Sequence, residues 1–219
     1  MEDKISTETR VRIKLCGLSR PEDIAAANAL LPDFIGFVFA PKSRRYVSPE
    51  TAAELRARLD PAVRAVGVFV NEAPERVAAL LAAGTIDIAQ LHGAEDEAYI
   101  ARLRQMTDRP VIKAFRVDTA ADLAAARESS ADFILLDNGA GGTGEAFDRS
   151  LLAGFDREYI LAGGLDSETV GSAVRALRPF AVDVSSGIET GGFKDTEKMR
   201  AFVEAVRAVP AEPGEEDGK

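Results

Sequence analysis

Two short apolar runs near the end of the chain each lead into a turn of very small residues. The turns are Gly163 and Gly164 after residues 159–162, and Ser185, Ser186 and Gly187 after residues 180–184. Small side chains let the backbone approach a ligand closely, and a helix that begins after such a turn directs unpaired N–H groups toward an anion. Residues 166–178 between the turns have apolar side chains at helical spacing. The pair of turns therefore predicts a phosphate site shared by two neighbouring strand ends.

A thiol and a carboxyl group at predicted strand ends are candidates for a base and an acid. Cys16, the only cysteine, closes the first predicted strand, two residues after Lys14 and on the same face. A nearby cation lowers the pKa of a thiol toward the thiolate that acts as a base. A lone cysteine is otherwise most often a small buried apolar residue. Asp137 closes the sixth predicted strand, where it is either an acid or a turn residue that caps a helix.

Arg45 and His92 are the candidates for contacts with a substrate. Arg45 lies in residues 42–46, the densest cationic stretch of an acidic chain. His92, the only histidine, follows the fourth predicted strand and is either a substrate contact or a histidine bonded to backbone. A single histidine argues against a Ser-His-Asp triad and against a histidine-rich zinc site. Lys113, in the middle of the fifth predicted strand, indicates a polar layer rather than a Schiff-base lysine.

Strand and helix patterns alternate along the chain with a spacing of about 22 to 30 residues, which is typical of parallel βαβ units. Eight such units, together with the absence of a G-x-G-x-x-G fingerprint after the first strand, favour a closed (β/α)8 TIM barrel over an open doubly wound sheet. Active sites of such barrels lie at the C-terminal ends of the strands, where the candidate residues stand. The predicted strands are 11–16, 34–39, 64–70, 86–91, 111–115, 132–136, 159–162 and 180–184.

This barrel is predicted to be a single domain over residues 11–209. Residues 1–10 form a polar N-terminal segment, and residues 210–219 form an acidic tail that is predicted to be disordered. The glycine-rich residues 138–144, which follow the sixth strand, are predicted to be a mobile lid.

Charge and composition restrict the partners. A net charge of −9 argues against nucleic acid or an anionic membrane as partners. The single cysteine excludes an internal disulfide framework and is typical of a reducing cytosol. No apolar run reaches the roughly 18 to 20 residues that span a bilayer, and the N-terminus does not resemble a signal sequence. These features predict a cytoplasmic protein. A small phosphorylated ligand is expected at the two turns, and the chain is expected to be a monomer or a homodimer.

Between about residues 11 and 208 the chain carries a series of motifs in a fixed order, and with them it resembles the phosphoribosylanthranilate isomerases of tryptophan biosynthesis. The motifs are Lys14-Leu-Cys-Gly-Leu, Gly36-Phe-Val-Phe-Ala-Pro-Lys-Ser-Arg-Arg-Tyr-Val-Ser-Pro, Val66-Gly-Val-Phe-Val-Asn, Gln90-Leu-His-Gly, Leu135-Leu-Asp, Gly141-Gly-Thr-Gly with Phe147-Asp148, Leu161-Ala-Gly-Gly-Leu, and Val182-Asp-Val-Ser-Ser-Gly-Ile-Glu.

The resemblance implies an Amadori rearrangement of N-(5-phosphoribosyl)anthranilate to 1-(2-carboxyphenylamino)-1-deoxyribulose 5-phosphate, without a metal or an organic cofactor. By motif, it implies that Cys16 is the general base, Asp137 the general acid and Arg45 the clamp on the anthranilate carboxylate. These roles suit the chemistry, since ring opening and removal of the C2′ proton are two separate proton transfers.

Two other functions share some of these features. A related isomerase of histidine synthesis acts on a larger substrate with two phosphates. Such barrels usually have an aspartate where this chain has Cys16, and a second glycine-rich turn where this chain has residues 90–93. A non-catalytic phosphate-binding barrel would keep the two small-residue turns without needing a thiol, an acid and an arginine together.

Overall fold

The computed structural model describes residues 10–137, 152 and 155–210. Nearly all of the predicted N-terminal segment 1–10 and acidic tail 210–219, and the whole predicted lid 138–144, lie outside these residues. Eight parallel strands form a closed barrel in which each pairs with the next and the last pairs with the first. The predicted single-domain TIM barrel is confirmed. Its strands are β1 (Arg12–Cys16), β2 (Phe34–Val38), β3 (Arg64–Phe69), β4 (Ile88–Leu91), β5 (Val111–Arg116), β6 (Phe133–Asp137), β7 (Tyr159–Ala162) and β8 (Ala181–Val184).

Helices on the outside of the barrel connect most of these strands. Pro21, Pro49 and Pro74 begin the first three, because proline fits the first helical turn, where its missing N–H has no intrahelical role. Ser48 caps the second helix by accepting a hydrogen bond from the backbone N–H of Thr51. The described helices are α1 (Pro21–Leu30), α2 (Pro49–Arg56), α3 (Pro74–Ala82), α4 (Glu97–Arg104), α5 (Ala120–Glu128), α6 (Val170–Leu177) and α7 (Thr196–Arg207).

The helix between β7 and β8 begins later than predicted. It starts at Val170 rather than at residue 166. The reason is local: the carboxylate of Asp166 accepts hydrogen bonds from the backbone N–H groups of Glu168 and Thr169, at 3.0 and 2.9 Å. These bonds close a turn that separates the glycines after β7 from the helix.

Apolar side chains fill two layers. One lies between the strands and the helices, where Phe202 and Val203 of α7 are fully buried. The other fills the inside of the barrel, with Val66, Ile112 and Leu135 among its members. Strands that are buried on both faces have nearly continuous apolar sequences, which is why the strand pattern was clear in the sequence.

Charged side chains also lie inside the barrel, both where β1 meets β8 and on β5. Lys14 of β1 is fully buried and donates a hydrogen bond to Asp183 of β8, with 2.9 Å between Nζ and Oδ1. The two residues are direct partners in the β1–β8 register. Lys113 of β5 is also buried, and it donates to the carbonyl oxygen of Gly93 at 2.7 Å, as expected of a structural polar group.

Candidate active site

Most of the predicted site residues line one cavity at the C-terminal rim of the barrel. Its volume is about 330 Å³, within the range of about 300 to 1,000 Å³ that is typical of small-molecule sites. Gly187 is the predicted residue that does not line it. Those that do are Cys16, Arg45, His92, Asp137, Gly163, Gly164, Ser185 and Ser186.

A larger cavity, of about 1040 Å³, lies at the opposite end of the barrel and is lined by several arginines. The guanidinium of Arg157 donates to backbone carbonyls there, and Arg12 lies 4.3 Å from the ring centre of Phe180. These contacts are structural, and no residue predicted to take part in chemistry lines this cavity. The rim cavity is therefore the candidate active site, although it is smaller.

Cys16 ends β1 beneath the rim, and its side chain is buried, with 7% exposed. Gly36 of β2 makes room for the thiol, because a Cβ at that position would lie 2.7 Å from Sγ. Burial raises the pKa of Cys16, Lys14 lowers it, and Asp183 raises it again. Lys14 lowers the thiol pKa as predicted, but burial and Asp183 outweigh it, so the net direction is upward. The cation is shared with Asp183, which the sequence did not place beside it.

Asp137 and His92 face each other across the ends of β6 and β4. His92 Nε2 lies 3.4 Å from Asp137 Oδ2, and His92 Nδ1 lies 2.9 Å from Nε2 of Gln90. If the Gln90 amide donates to Nδ1, the imidazole carries its proton on Nε2 and directs it toward Asp137. The imidazole of His92 thus contacts the side chains of Asp137 and Gln90. Gln90 itself is buried, and its Oε1 has no hydrogen-bond partner within the described residues.

Asp137 lies on the far side of the rim from Cys16, although not diametrically opposite. In the ring of eight strands, β5 is opposite β1 and β6 is its neighbour. The thiol and the carboxyl group therefore approach a ligand in the cavity from different sides, as two separate proton transfers require.

Arg45 reaches the cavity over Gly17. The glycine has a φ of +80°, and a Cβ there would lie 2.5 Å from Cδ of Arg45. The guanidinium makes two hydrogen bonds with Glu189, at 2.6 Å from Nε and 3.0 Å from Nη2. Glu189 ends the motif of residues 182–189, but its contact with Arg45 was missed from the sequence, since the two residues lie 144 positions apart. It also pairs with Arg44 and Lys194.

The two small-residue turns pack against each other. Gly163 and Gly164 have φ values of +92° and +64°, which favour glycine. A Cβ on Gly187 would lie only 2.0 Å from the carbonyl oxygen of Leu165, so the turns after β7 and β8 touch at this glycine. After β8, residues Ser186–Ile188 form one turn of 3₁₀ helix. The helix predicted to follow the turn after β7 at residue 166 begins only at Val170, but the two turns are adjacent as predicted.

The described residues contain no cluster of three or more His, Cys, Asp or Glu side chains that could hold a metal ion. Among the same residues, no helix is long and apolar enough to cross a membrane.

Fold and cavity together are those of a (β/α)8-barrel enzyme with its site at the C-terminal rim. Residues 13–205 match the family model of N-(5′-phosphoribosyl)anthranilate (PRA) isomerase. The chain belongs to this family, as its motifs predicted.

Curated relatives and solved structures agree with this assignment. The chain is 46% identical over 205 residues to the N-(5′-phosphoribosyl)anthranilate isomerase of Caldanaerobacter subterraneus, covering 91% of this chain and 99% of the relative. It is 48% identical to that of Dechloromonas aromatica, covering 90% and 97%. The phosphoribosyl anthranilate isomerase structure from Thermus thermophilus superposes with a TM-score of 0.81 at 38% identity, covering 91% and 100%.

A further solved relative was crystallised with a ligand. It is a phosphoribosyl anthranilate isomerase in complex with reduced 1-(o-carboxyphenylamino)-1-deoxyribulose 5-phosphate, 39% identical, with a TM-score of 0.79 and coverage of 90% and 98%. That ligand carries one phosphate and one aromatic carboxylate.

Proposed function

We propose that this protein catalyses the Amadori rearrangement of N-(5-phosphoribosyl)anthranilate in tryptophan biosynthesis. The product is 1-(2-carboxyphenylamino)-1-deoxyribulose 5-phosphate. The observation that carries the assignment of roles is the convergence of a thiol, a carboxyl group, an arginine and two packed small-residue turns on one cavity of about 330 Å³. Each of these groups matches one part of the substrate.

Asp137 acts as the general acid. Opening of the furanose ring requires a proton on the ring oxygen, and a carboxyl group at the rim can deliver it. His92, whose Nε2 lies 3.4 Å from Asp137 Oδ2, holds the carboxyl group on the cavity side of β6. Ring opening leaves a Schiff base between C1′ and the anthranilate nitrogen.

Cys16 acts as the general base. The Schiff base acidifies the proton on C2′, and the thiolate removes it to give an enolamine that tautomerises to the ketose. Because burial raises the pKa of Cys16, the thiolate is a minor form at neutral pH but a correspondingly stronger base. The electrons move only from C2′ to C1′, so the proton transfers require no external redox cofactor.

Binding is divided between the two ends of the substrate. Arg45 binds the anthranilate carboxylate, for which a planar guanidinium is suited. The backbone of residues 163–164 and 185–187 binds the single phosphate.

The half-way position of the barrel does not favour a substrate with two phosphates. There, the buried carboxylate of Glu95 accepts hydrogen bonds from the backbone N–H groups of Asn71 and Gly93. Those loops follow β3 and β4, half a turn of the ring away from β7 and β8. A carboxylate already satisfies the backbone donors that a second phosphate would need, which counts against the histidine-pathway reaction.

Turnover of chemically prepared N-(5-phosphoribosyl)anthranilate, followed as loss of its anthranilate fluorescence, tests the proposal. We expect saturable turnover that Asp137→Asn and Cys16→Ser each reduce. Binding of the substrate without turnover would instead indicate a non-catalytic phosphate-binding barrel.

We place the protein in the cytoplasm, as a monomer or a homodimer; one solved relative, from Thermotoga maritima, is described as dimeric.

A further inference from the structure

Glu189 is the centre of a charged cluster at the edge of the candidate active site. Its side chain is 5% exposed, and it pairs with three cations: Arg45, Arg44 and Lys194. A carboxylate in so many charge-assisted hydrogen bonds stays ionised, and its pKa is lowered although burial alone would raise it. The charged cluster is therefore a fixed part of the rim, but no step of the proposed reaction uses Glu189.

The geometry of the Arg45–Glu189 pair fixes the direction of the guanidinium. Glu189 accepts from Nε and Nη2, at 2.6 and 3.0 Å, which occupies one edge of the planar group. Within the described residues, Nη1 makes no hydrogen bond, and Arg45 alone of the three cations lines the cavity. The pairing therefore leaves the other edge of the guanidinium for a ligand in the cavity.

Lys194 ties the same carboxylate to the phosphate turn. Its ammonium is 2% exposed and donates to Glu189 at 2.7 Å and to the carbonyl oxygen of Ser185 at 2.8 Å. The hydroxyl of Ser185 in turn donates to the carbonyl oxygen of Cys16 at 3.2 Å. One network thus joins the arginine, the turn after β8 and the end of β1.

We propose that Glu189 is a positioning residue that aims Arg45 at the substrate carboxylate, and that it thereby sets the preference for a carboxylate-bearing substrate. This inference rests on the proposed function, because it takes the carboxylate to bind at Arg45. Lys194 anchors Glu189, so the distance between the carboxylate site and the phosphate site is held by one ion cluster.

Charge alone makes the opposite prediction, which sharpens the test. Glu189 neutralises one of three neighbouring cations, so its removal leaves the rim more positive, and simple electrostatics predicts tighter binding of an anion. Positioning predicts weaker binding. In Glu189→Gln the amide nitrogen is a donor and faces the guanidinium, which is also a donor. The pair of hydrogen bonds that holds Arg45 is therefore lost.

The experiment measures dissociation constants by calorimetry for two compounds. One is reduced 1-(2-carboxyphenylamino)-1-deoxyribulose 5-phosphate, and the other is its counterpart without the carboxylate. We expect the wild type to prefer the first compound, and Glu189→Gln to lower that preference by about 10- to 100-fold. This is the range by which affinity falls in metal sites when a residue that orients a binding side chain is removed. Arg45→Ala should abolish the preference, and adding Glu189→Gln to it should change nothing further.

Two variants separate positioning from charge and from damage to the fold. Glu189→Asp keeps the charge but retracts the carboxylate by one methylene, so it should also lower the preference. Glu75→Gln, which removes a charge paired with Arg102 on the exposed surface, should leave the preference unchanged. Thermal melts show whether each variant is folded. If Glu189→Gln does not fold, the inference is tested with Glu189→Asp.

An unchanged or increased preference in Glu189→Gln and Glu189→Asp would overturn the inference while leaving the proposed function intact. So would an effect of Glu189→Gln that persists in the Arg45→Ala background, since Glu189 would then act by another route. A wild type that binds neither compound would overturn the proposed function itself, and this inference with it.

Discussion

Gly187→Ala is the substitution whose effect the structure defines best. Gly187 has no unusual backbone requirement, since it is absent from the glycines of positive φ. Space is what it provides: an added Cβ would lie 2.0 Å from the carbonyl oxygen of Leu165, whereas real Cβ contacts are essentially never below 3.0 Å. That oxygen belongs to backbone, which cannot rotate away as a side chain can. The turns after β7 and β8 must therefore separate by about 1 Å.

A separation of this size acts directly on the proposed phosphate site. A misplacement of 1 Å can cost about 10²-fold in rate, which corresponds to ~2.7 kcal/mol of transition-state stabilisation. We expect kcat/KM for N-(5-phosphoribosyl)anthranilate to fall by about that factor. Overpacking costs about 1 to 3 kcal/mol of stability, so the melting temperature should fall by roughly 2 to 12 °C for a domain of this size.

Gly84→Ala is the matched control. Gly84 has a φ of +70° and nothing within 4 Å of an added Cβ, and it lies between α3 and β4, away from the cavity. Its substitution costs about 1 to 2 kcal/mol of backbone strain, so stability falls while kcat/KM stays near that of the wild type. A folded Gly187→Ala protein with kcat/KM within threefold of the wild type would show that the contact between the turns does not set the phosphate site.

Three further substitutions test the proposed roles. Asp137→Asn cannot deliver a proton, so kcat should fall by about 10²- to 10⁴-fold while the reduced product analogue still binds by calorimetry; a smaller loss would assign the acid to another group. The proposed base works as a thiolate and the proposed acid as a protonated carboxyl group, so the pH profile of kcat/KM reports both groups. Because burial raises the pKa of Cys16, the limb that reports the thiol should lie on the alkaline side of an ordinary thiol, and a pH–rate profile of Cys16→Ser that keeps this limb would place the base elsewhere. Arg45→Ala should lower kcat/KM by about 10- to 100-fold, from about 1.5 to 3 kcal/mol for a charged hydrogen bond, and exposed Lys42→Ala is its control.

Arg44 does not serve as a control for Arg45. Its guanidinium pairs with the same carboxylate of Glu189, so its removal also perturbs the cluster that holds Arg45. The two arginines are neighbours in sequence and share a partner in space.

The fold was predictable because the relevant signals are local. Each strand is a short apolar run closed by a turn, and proline or a capping side chain marks several helix starts. The start of α6 was predicted wrongly because it depends on local hydrogen bonds: the carboxylate of Asp166 accepts from two backbone N–H groups and delays the helix to Val170. Helix propensity does not show whether a side chain such as that of Asp166 will bond to the backbone in place of the helix.

The site was only partly predictable because its electrostatics are non-local. The rule that active sites lie at strand ends placed Cys16, Asp137 and Arg45 in one cavity. The effect of Lys14 on the pKa of Cys16 was predicted correctly, but the net direction was not, because it depends on burial and on Asp183, which is 169 residues from Lys14. The contact of Glu189 with Arg45 was not predictable for the same reason, since only closure of the barrel brings the two residues together.

The pairing of Lys14 with Asp183 has a consequence for the order of events during synthesis. A ribosome that adds about 5 to 20 residues per second makes the second residue roughly 8 to 35 seconds after the first. Throughout that time β1 has one unpaired edge, and its lysine lacks the carboxylate that makes burial favourable. The nascent chain cannot bury Lys14 with its native partner, and cannot assemble the phosphate turns beside Cys16, until β8 has emerged. The newly synthesised enzyme is therefore expected to gain activity in one late step, when β8 pairs with β1 and closes the barrel.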